Sequence, residues 1–367
     1  MSSLLKDVYS AEFYERLCDV METSLEGFDR ARFLARIFSP GFAAMELKQR
    51  MSHTIEAIAE FLPDDFEAGA QSLCRFVDDL KGADISEQGF ELMFLPEYIE
   101  IHGLDHFETA IDSFEHVTQF TSCEFAVRPF IQKYGTRMIE RMIGWSTHEN
   151  HWVRRLASEG SRPRLPWAMA LPALKQDPTP LLPILENLKQ DPSETVRRSV
   201  ANNLNDISRD NPDFVIERVR AWQGLGPETD ALLKHACRTL LKQAEPRVMA
   251  MFGYRPEGFL IRDFDVSTPT VEFGDGLVFS FVIENTGASS LKLRLEYAVH
   301  HLKKNGDHSK KVFKISERKL LAGEVLQVER RHPIRPITTR VYYPGIHRVA
   351  AIANGVESPA TDFELRM

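Results

Sequence analysis

A chain of 367 residues is long for one hydrophobic core, and 43% hydrophobic with 27% charged residues is an ordinary globular composition, neither disordered nor fibrous. Nowhere do roughly 18 apolar residues run together, and the opening MSSLLKDVYS lacks the basic and apolar regions of a secretory signal, so a cytoplasmic protein without membrane spans is expected. The net charge of −8 hides a gradient: residues 1–150 carry 13 Lys+Arg against 27 Asp+Glu, residues 151–256 carry 16 against 12, and residues 257–367 carry 16 against 14. From Arg128 to Arg164 there are eight basic and three acidic residues, and local potential decides what docks there. The cysteines, Cys18, Cys74, Cys123 and Cys237, lie far apart and form no CxxC, which points to buried free thiols.

Residues 1–120 are read as helical scaffold. FDRARFLARIF (28–38) places Phe28, Ala31, Ala35 and Phe38 on one stripe with Arg30, Arg32 and Arg36 off it. MELKQRMSHTIEAIAEFLP (45–63) is an amphipathic helix stopped by Pro63, and DFEAGAQSLCRFVDDLKG (65–82) is another, ending at Gly82. Residues 121–256 continue as helix pairs. Asp191-Pro192 opens one helix as cap and first residue, with Val196, Val200, Leu204 and Ile207 as its buried stripe. ALLKHACRTLLKQ (231–243) shows a similar stripe in Leu232, Ala236 and Leu240. Laying Val153 on Val196 pairs Arg154 with Arg197 and Arg155 with Arg198, an offset of 43 residues, inside the roughly 40–47 of HEAT-type repeats. Stacked helix pairs make a solenoid with a concave face. Residues 1–255 are assigned to it.

After Gly253 the pattern changes. Pro256 and Gly258 mark a linker, and residues 257–367 alternate as short strands at 259–267, 277–285, 291–299, 311–320, 325–332, 347–354 and 362–367. That count and size predict an all-β immunoglobulin-like sandwich, so the whole is a mainly α protein with a β-sandwich appended. Lys303, Lys304, Lys310 and Lys311 bracket an Asn305-Gly306 turn within it.

The chemistry concentrates at 147–167, THENHWVRRLASEGSRPRLPW. On a helix, Val153, Leu156, Ala157 and Gly160 share one face, while Trp152, Arg155 and Glu159 share a flank. Arg198, Asn202 and Asp206 occupy the matching flank one repeat on. An Arg155–Glu159 pair at i,i+4 on an exposed flank is the plain reading of that geometry. The loop SRPRLPW (161–167) sets Arg162 and Arg164 between prolines and ends on Trp167. Arginine pairs with phosphates and an aromatic face stacks on a base, although Trp167 under the loop in the core is the competing placement. On this reading Arg155, Arg162, Arg164, Arg198, Trp152 and Trp167 are candidate DNA contacts. The twelve histidines show no ligand spacing.

SCEFAVRPFI (122–131), VRRLASEGSRPRLPW (153–167) and DPSETVRRSVANNLNDIS (191–208) resemble the DNA alkylation-repair glycosylases of the HEAT-like superfamily, and most closely the AlkC branch, whose longer members also end in an immunoglobulin-like domain. The resemblance implies a monofunctional glycosylase of base excision repair, acting on N3-alkylated bases, 3-methyladenine and 3-methylcytosine, without flipping the base into a pocket. Position by position, it implies Glu159 and Glu124 as catalytic carboxylates, Arg155 and Arg162 as contacts beside the lesion, Trp167 against the lesion nucleotide and Asp206 lining the same cleft. It implies no metal and no organic cofactor, double-stranded DNA carrying alkylated bases as partner, a monomer, and a bacterial, nucleoid-associated location. Two other classes compete: a non-enzymatic HEAT scaffold for DNA or a protein, and a carbohydrate-acting enzyme with an accessory sandwich. The first leaves the Arg-Pro-Arg…Trp loop without a purpose, and the second expects a secretory signal.

Overall fold

The computed structural model describes residues 5–83, 85, 87–337 and 340–367. The chain divides into two compact units, Met1–Ala236 and Cys237–Met367. The first is helical. Its buried stripes follow the heptad-like spacing of apolar residues, as in Phe66–Gly82, where Phe66, Ala70, Leu73, Val77 and Leu80 face inward and Asp65 caps the first turn by accepting from the Ala68 N–H. Leu47–Ala59 ends before Pro63 as expected. The helix in 28–38 shortens to Arg30–Ile37 and buries Phe33 and Ile37, leaving Ala31, Ala35 and Phe38 exposed. The expected stripe there is corrected: large Phe33 and Ile37 gain more by burial than two alanines do.

The repeat offset holds at the level of single hydrogen bonds. His151–Glu159 packs against Glu194–Ile207, which packs against Pro227–Ala236. Val153 and Val196, one offset apart, are both fully buried. Arg154 Nη1 donates to the carbonyls of His148 and Glu149, and Arg197 Nη1 to those of Asp191 and Pro192, the same six- and five-residue reach backwards. The helix in the second copy starts at Glu194 with Ser193 in the cap position, matching Asn150 before His151. Asp191 is therefore not the helix cap. Its Oδ1 accepts from the Ser193 N–H and both its oxygens take the Arg154 guanidinium, at 2.6 and 3.0 Å. The stripe at 231–243 is buried, but the helix breaks at Cys237 into Pro227–Ala236 and Arg238–Lys242.

The second unit is a two-sheet sandwich. Its strands are β1 (Phe259–Val266), β2 (Thr270–Glu272), β3 (Gly276–Asn285), β4 (Leu291–Leu302), β5 (His308–Leu320), β6 (Val325–Pro333), β7 (Gly345–Ala353), β8 (Val356–Glu357) and β9 (Thr361–Arg366). One sheet runs β1-β3-β6 and the other β2-β9-β7-β4-β5, with β8 beside β7 and β2 parallel to β9. Leu277, Phe279, Phe281 and Ile283 of β3 alternate inward against Leu293, Leu295, Tyr297 and Val299 of β4. Asp263, in the left-handed region at φ 54°, bulges β1 where its register to β3 shifts. At the Asn305-Gly306 turn Lys303 pairs with Asp307, and Lys310 pairs with Glu357. The expected linker at 256–258 does separate the last helix from β1, yet the unit boundary falls earlier because Pro246–Met251 and the residues after it pack on the sandwich. Lys292 Nζ donates to the Phe252 carbonyl, Asn354 Nδ2 to that of Arg255, and Tyr254 is fully buried.

Three histidines are enclosed in this sandwich: His301 on β4, His332 on β6 and His347 on β7, each under 7% exposed. Their rings lie 5.8–6.3 Å apart around His301. Burial, with the Arg340 guanidinium adding to it, pushes His301 down to about 3 and His332 to about 4, and lowers His347.

Candidate active site

His151–Glu159 opens on Asn150, whose side chain accepts from the Trp152 N–H, and Val153, Leu156 and Ala157 bury its inner face. Gly160, which follows with helical backbone angles, passes close to its neighbours: a Cβ there would lie 2.6 Å from Val127 Cγ2 and 3.1 Å from Met142 Cε. The glycine of ASEG is thus a packing requirement beside Glu159.

Glu159 and Arg155 do not pair with each other, and the exposed i,i+4 bridge is corrected. Glu159 is 5% exposed and its Oε1 accepts from Arg162 Nη1 at 2.6 Å. Arg162 Nε donates to Asp206 Oδ2 at 2.8 Å, so one guanidinium bridges carboxylates from two successive repeats. Burial opposes the Arg162 charge, and is outweighed by Glu159 and Asp206, which hold its pKa above the ordinary value. Asp206 is raised, by burial first and by the Glu159 charge, against the pull of Arg162. Arg155 turns the other way. Its Nη2 donates to Glu124 Oε2 at 2.7 Å and its Nη1 to Ser122 Oγ at 2.9 Å, while the Ser122 hydroxyl donates to the same Glu124 oxygen at 2.7 Å. Glu124 lies in the turn before the helix Val127–Tyr134, not within a helix.

Arg128 ties these parts together, and nothing in the sequence reading singled it out beyond its charge. It is fully buried, and it donates to the carbonyls of Gly160, Arg162 and Met169 at 2.7–2.9 Å. Burial lowers its pKa to about 10, the nearby Arg162 charge adds to this, and Asp206, Glu124 and Glu159 act against it, which sets all four within electrostatic reach of one guanidinium. Its signal was the unusual burden of an arginine inside an otherwise apolar VRPFI segment: a buried guanidinium requires carbonyl or carboxylate partners.

The loop it fixes carries the remaining candidates. Leu165 is its buried anchor. Arg164 is one-third exposed and grips Asp210 through two bonds of 2.6 and 2.8 Å. Trp167 is not a core residue: it is 60% exposed, at φ 65°, with its ring edge-on to Phe90 at 5.9 Å. Lys48 donates to its carbonyl. A non-glycine residue held left-handed with a large apolar ring in solvent is a position kept at a conformational cost of order 1–3 kcal/mol. Arg198 and Trp152 stand apart from this cluster. Arg198 pairs with Glu194 on its own exposed helix face, and Trp152 is half-buried against His151 at 4.6 Å between ring centres. The matched-flank expectation does not hold for Arg198: its guanidinium turns to Glu194 one turn earlier, while Asn202, one turn later on the same helix, meets His235 at 3.1 Å.

The family described as DNA alkylation repair enzyme matches residues 96–240, and that described as Uncharacterised protein YhaZ, C-terminal Ig-like domain, matches residues 260–367. The Uncharacterized protein YhaZ of Bacillus subtilis (strain 168) is 38% identical over 98% of this chain and 99% of its own length. The Pseudomonas fluorescens alkylpurine DNA glycosylase AlkC, in a structure bound to DNA containing an abasic site analog, superposes with a TM-score of 0.92 at 34% identity, over 100% of both chains. These matches place this chain in the AlkC-type family of DNA alkylation-repair proteins with a C-terminal immunoglobulin-like domain.

Proposed function

We propose that the chain is an alkylpurine-type DNA glycosylase that hydrolyses the N-glycosidic bond of cationic N3-alkylated bases, 3-methyladenine and 3-methylcytosine, in double-stranded DNA. The observation that carries this reading is the convergence of Glu159 and Asp206, from successive repeats, on the single buried guanidinium of Arg162, with Glu124 held nearby by Arg155. An N3-alkylated base is already positively charged and leaves without being protonated. As it departs with the bond's electron pair, positive charge moves to the sugar C1′, and a preorganised carboxylate stabilises it. Water then adds at C1′ and gives its proton to a carboxylate, Glu159 or Glu124, leaving an abasic sugar and a free base. In this scheme Arg155 and Arg162 hold the carboxylates, Arg164 meets the DNA backbone, and exposed Trp167 abuts the lesion nucleotide without drawing the base into the protein. The site needs no metal or organic cofactor for these steps, and the proposal has the chain act as a monomer.

Incubation of the full chain with methylated duplex DNA, followed by mass spectrometry of the released bases, tests this. Release of 3-methyladenine and 3-methylcytosine is expected. DNA bound with high salt sensitivity but with no base released would favour a non-enzymatic scaffold instead.

A further inference from the structure

Beside the Glu124–Arg155 pair lies a cavity of about 170 Å³, walled by Leu47–Ala59, by Leu95–His102, by the turn at 122–126 and by the loop at 168–169. Ser122, which donates to Glu124, and Met169, whose carbonyl takes Arg128, are both part of its wall. The Phe125 ring and the Met51, Met93 and Met169 thioethers give it a soft apolar lining of the kind that packs on aromatic rings. A cavity of about 150 Å³ admits a benzene ring, so this one takes a heteroaromatic ring entering by its edge. Lys48 stands at the same wall, with Nζ bonded to the Trp167 carbonyl and 5.2 Å from the Phe125 ring centre.

The polar groups in the cavity are unequal. Glu97 and Glu100 sit three apart on Leu95–His102 and so share a face. Glu97 Oε1 accepts from the Ser52 hydroxyl at 2.5 Å, which leaves its other oxygen as an acceptor. Among the described residues no group hydrogen-bonds the Glu100 carboxyl. Burial, and then the charge of Glu97, push Glu100 up to about 7. The pair therefore offers an O–H donor from Glu100 beside an acceptor from Glu97. Adenine presents the complement along one edge, the N7 acceptor next to the N6 amino donor, and methylation at N3 leaves that edge untouched. With N9 blocked, as in 9-methylguanine and 9-methylhypoxanthine, an oxopurine presents two acceptors on that edge and meets the Glu97 oxygen with repulsion; cytosine offers the amino donor without the acceptor.

We infer that this cavity binds a free adenine-type base, holding the excised purine by its N6/N7 edge after the glycosidic bond has broken. The inference rests on the glycosylase reading for where the base comes from, but the binding itself does not need DNA. The experiment is a calorimetric titration of the DNA-free full chain with adenine, 3-methyladenine and 9-methylhypoxanthine, repeated on Glu100→Met and Glu97→Met. Excision by all three proteins is followed separately, under single turnover. Saturable binding of adenine and 3-methyladenine is expected, with 9-methylhypoxanthine at least tenfold weaker. Either Met variant should lose tenfold or more in adenine affinity while its melting temperature and single-turnover excision stay as in the parent. No adenine binding by the parent protein, equal binding of 9-methylhypoxanthine, or full adenine affinity in both variants would overturn the inference. Excision without adenine binding sinks the cavity's role alone, whereas adenine binding without excision sinks the glycosylase reading alone.

Discussion

Glu159 ends its helix with one oxygen on Arg162, and its replacement by glutamine keeps the shape and the acceptor while removing the charge. Single-turnover excision should fall on the order of 10²-fold, with DNA affinity nearly intact, because only transition-state stabilisation is lost. Excision close to that of the unaltered protein would take Glu159 out of the mechanism. The two loop arginines, alike in sequence, should behave differently. Arg162 is buried between two carboxylates, so Arg162→Ala leaves them uncompensated, and a loss of roughly 3–5 kcal/mol in chemical denaturation is expected. Arg164 is one-third exposed on a single surface pair, so Arg164→Ala should cost little stability and reduce the log–log salt slope of DNA binding by about one unit. An unchanged slope would mean that this loop faces away from the phosphates. At this scale residue types and rough neighbourhood were legible: the arginines and acids around Glu159 do gather in one place. Partner choice was not, because helical spacing proposed Arg155–Glu159, whereas in the fold Arg155 finds Glu124 across a chain separation of 31 residues and Glu159 finds Arg162, which in turn reaches Asp206 across 44.

At the scale of elements, the loop after Gly160 is held by a side chain from another helix. Arg128→Met leaves the buried carbonyls of Gly160 and Arg162, each worth about 1–3 kcal/mol, and the partly buried one of Met169 without donors. A loss of about 3 kcal/mol or more in denaturant titration is expected, with faster tryptic cleavage after Arg164 under native conditions; parent-like stability and cleavage would show that the loop holds itself. The repeat was readable from the 43-residue offset, and that offset would also have placed the second cap, since Asn150 moves onto Ser193. Asp191-Pro192 misled because an aspartate before a proline is a strong local start signal, and here the carboxylate answers Arg154 of the preceding repeat instead. Strands of six or more residues were visible through alternation; β2 and β8, of three and two residues, are too short to alternate and exist by pairing with β9 and β7.

For the whole molecule, the unit boundary at Ala236 changes where a cut belongs. A chain ending at Tyr254 retains Met249 and Tyr254 without the β7–β8 turn and Lys292 that cover them. A chain ending at Ala236 should keep helical circular dichroism and remain in solution, whereas the longer one should aggregate, and the helical unit alone should lose most of its excision. A folded Met1–Ala236 fragment excising at the full rate would make the sandwich dispensable. The sandwich also carries a titration. His301, His332 and His347 stay neutral when folded, with lowered pKa values, while the unfolded chain binds protons near the ordinary 6.5. The unfolded state thus takes up more protons below that value, so their contribution to stability is complete above about pH 6.5 and drains away as pH falls toward 4. His301→Phe should flatten that acid slope of the sandwich's melting temperature; an unchanged slope would assign it to other groups. Sequence could not show this, since the three histidines are 15 or more residues apart: His301 and His347 meet through the pairing of β4 with β7, and His332 reaches them from β6 in the other sheet.

The grip of Arg128 on main-chain oxygens has a bearing on how such an enzyme changes over generations. Every residue has a carbonyl, so a loop fastened by its carbonyls places few demands on which side chains it bears. Positions 164, 166 and 168 are thereby open to exchange without loss of the loop's path, while Arg128 and Gly160 are not, and the left-handed backbone at Trp167 restricts what can replace it. Selection for altered lesion preference has a cassette to work on, and a library randomised at those three positions should yield mostly folded proteins with divergent damage spectra.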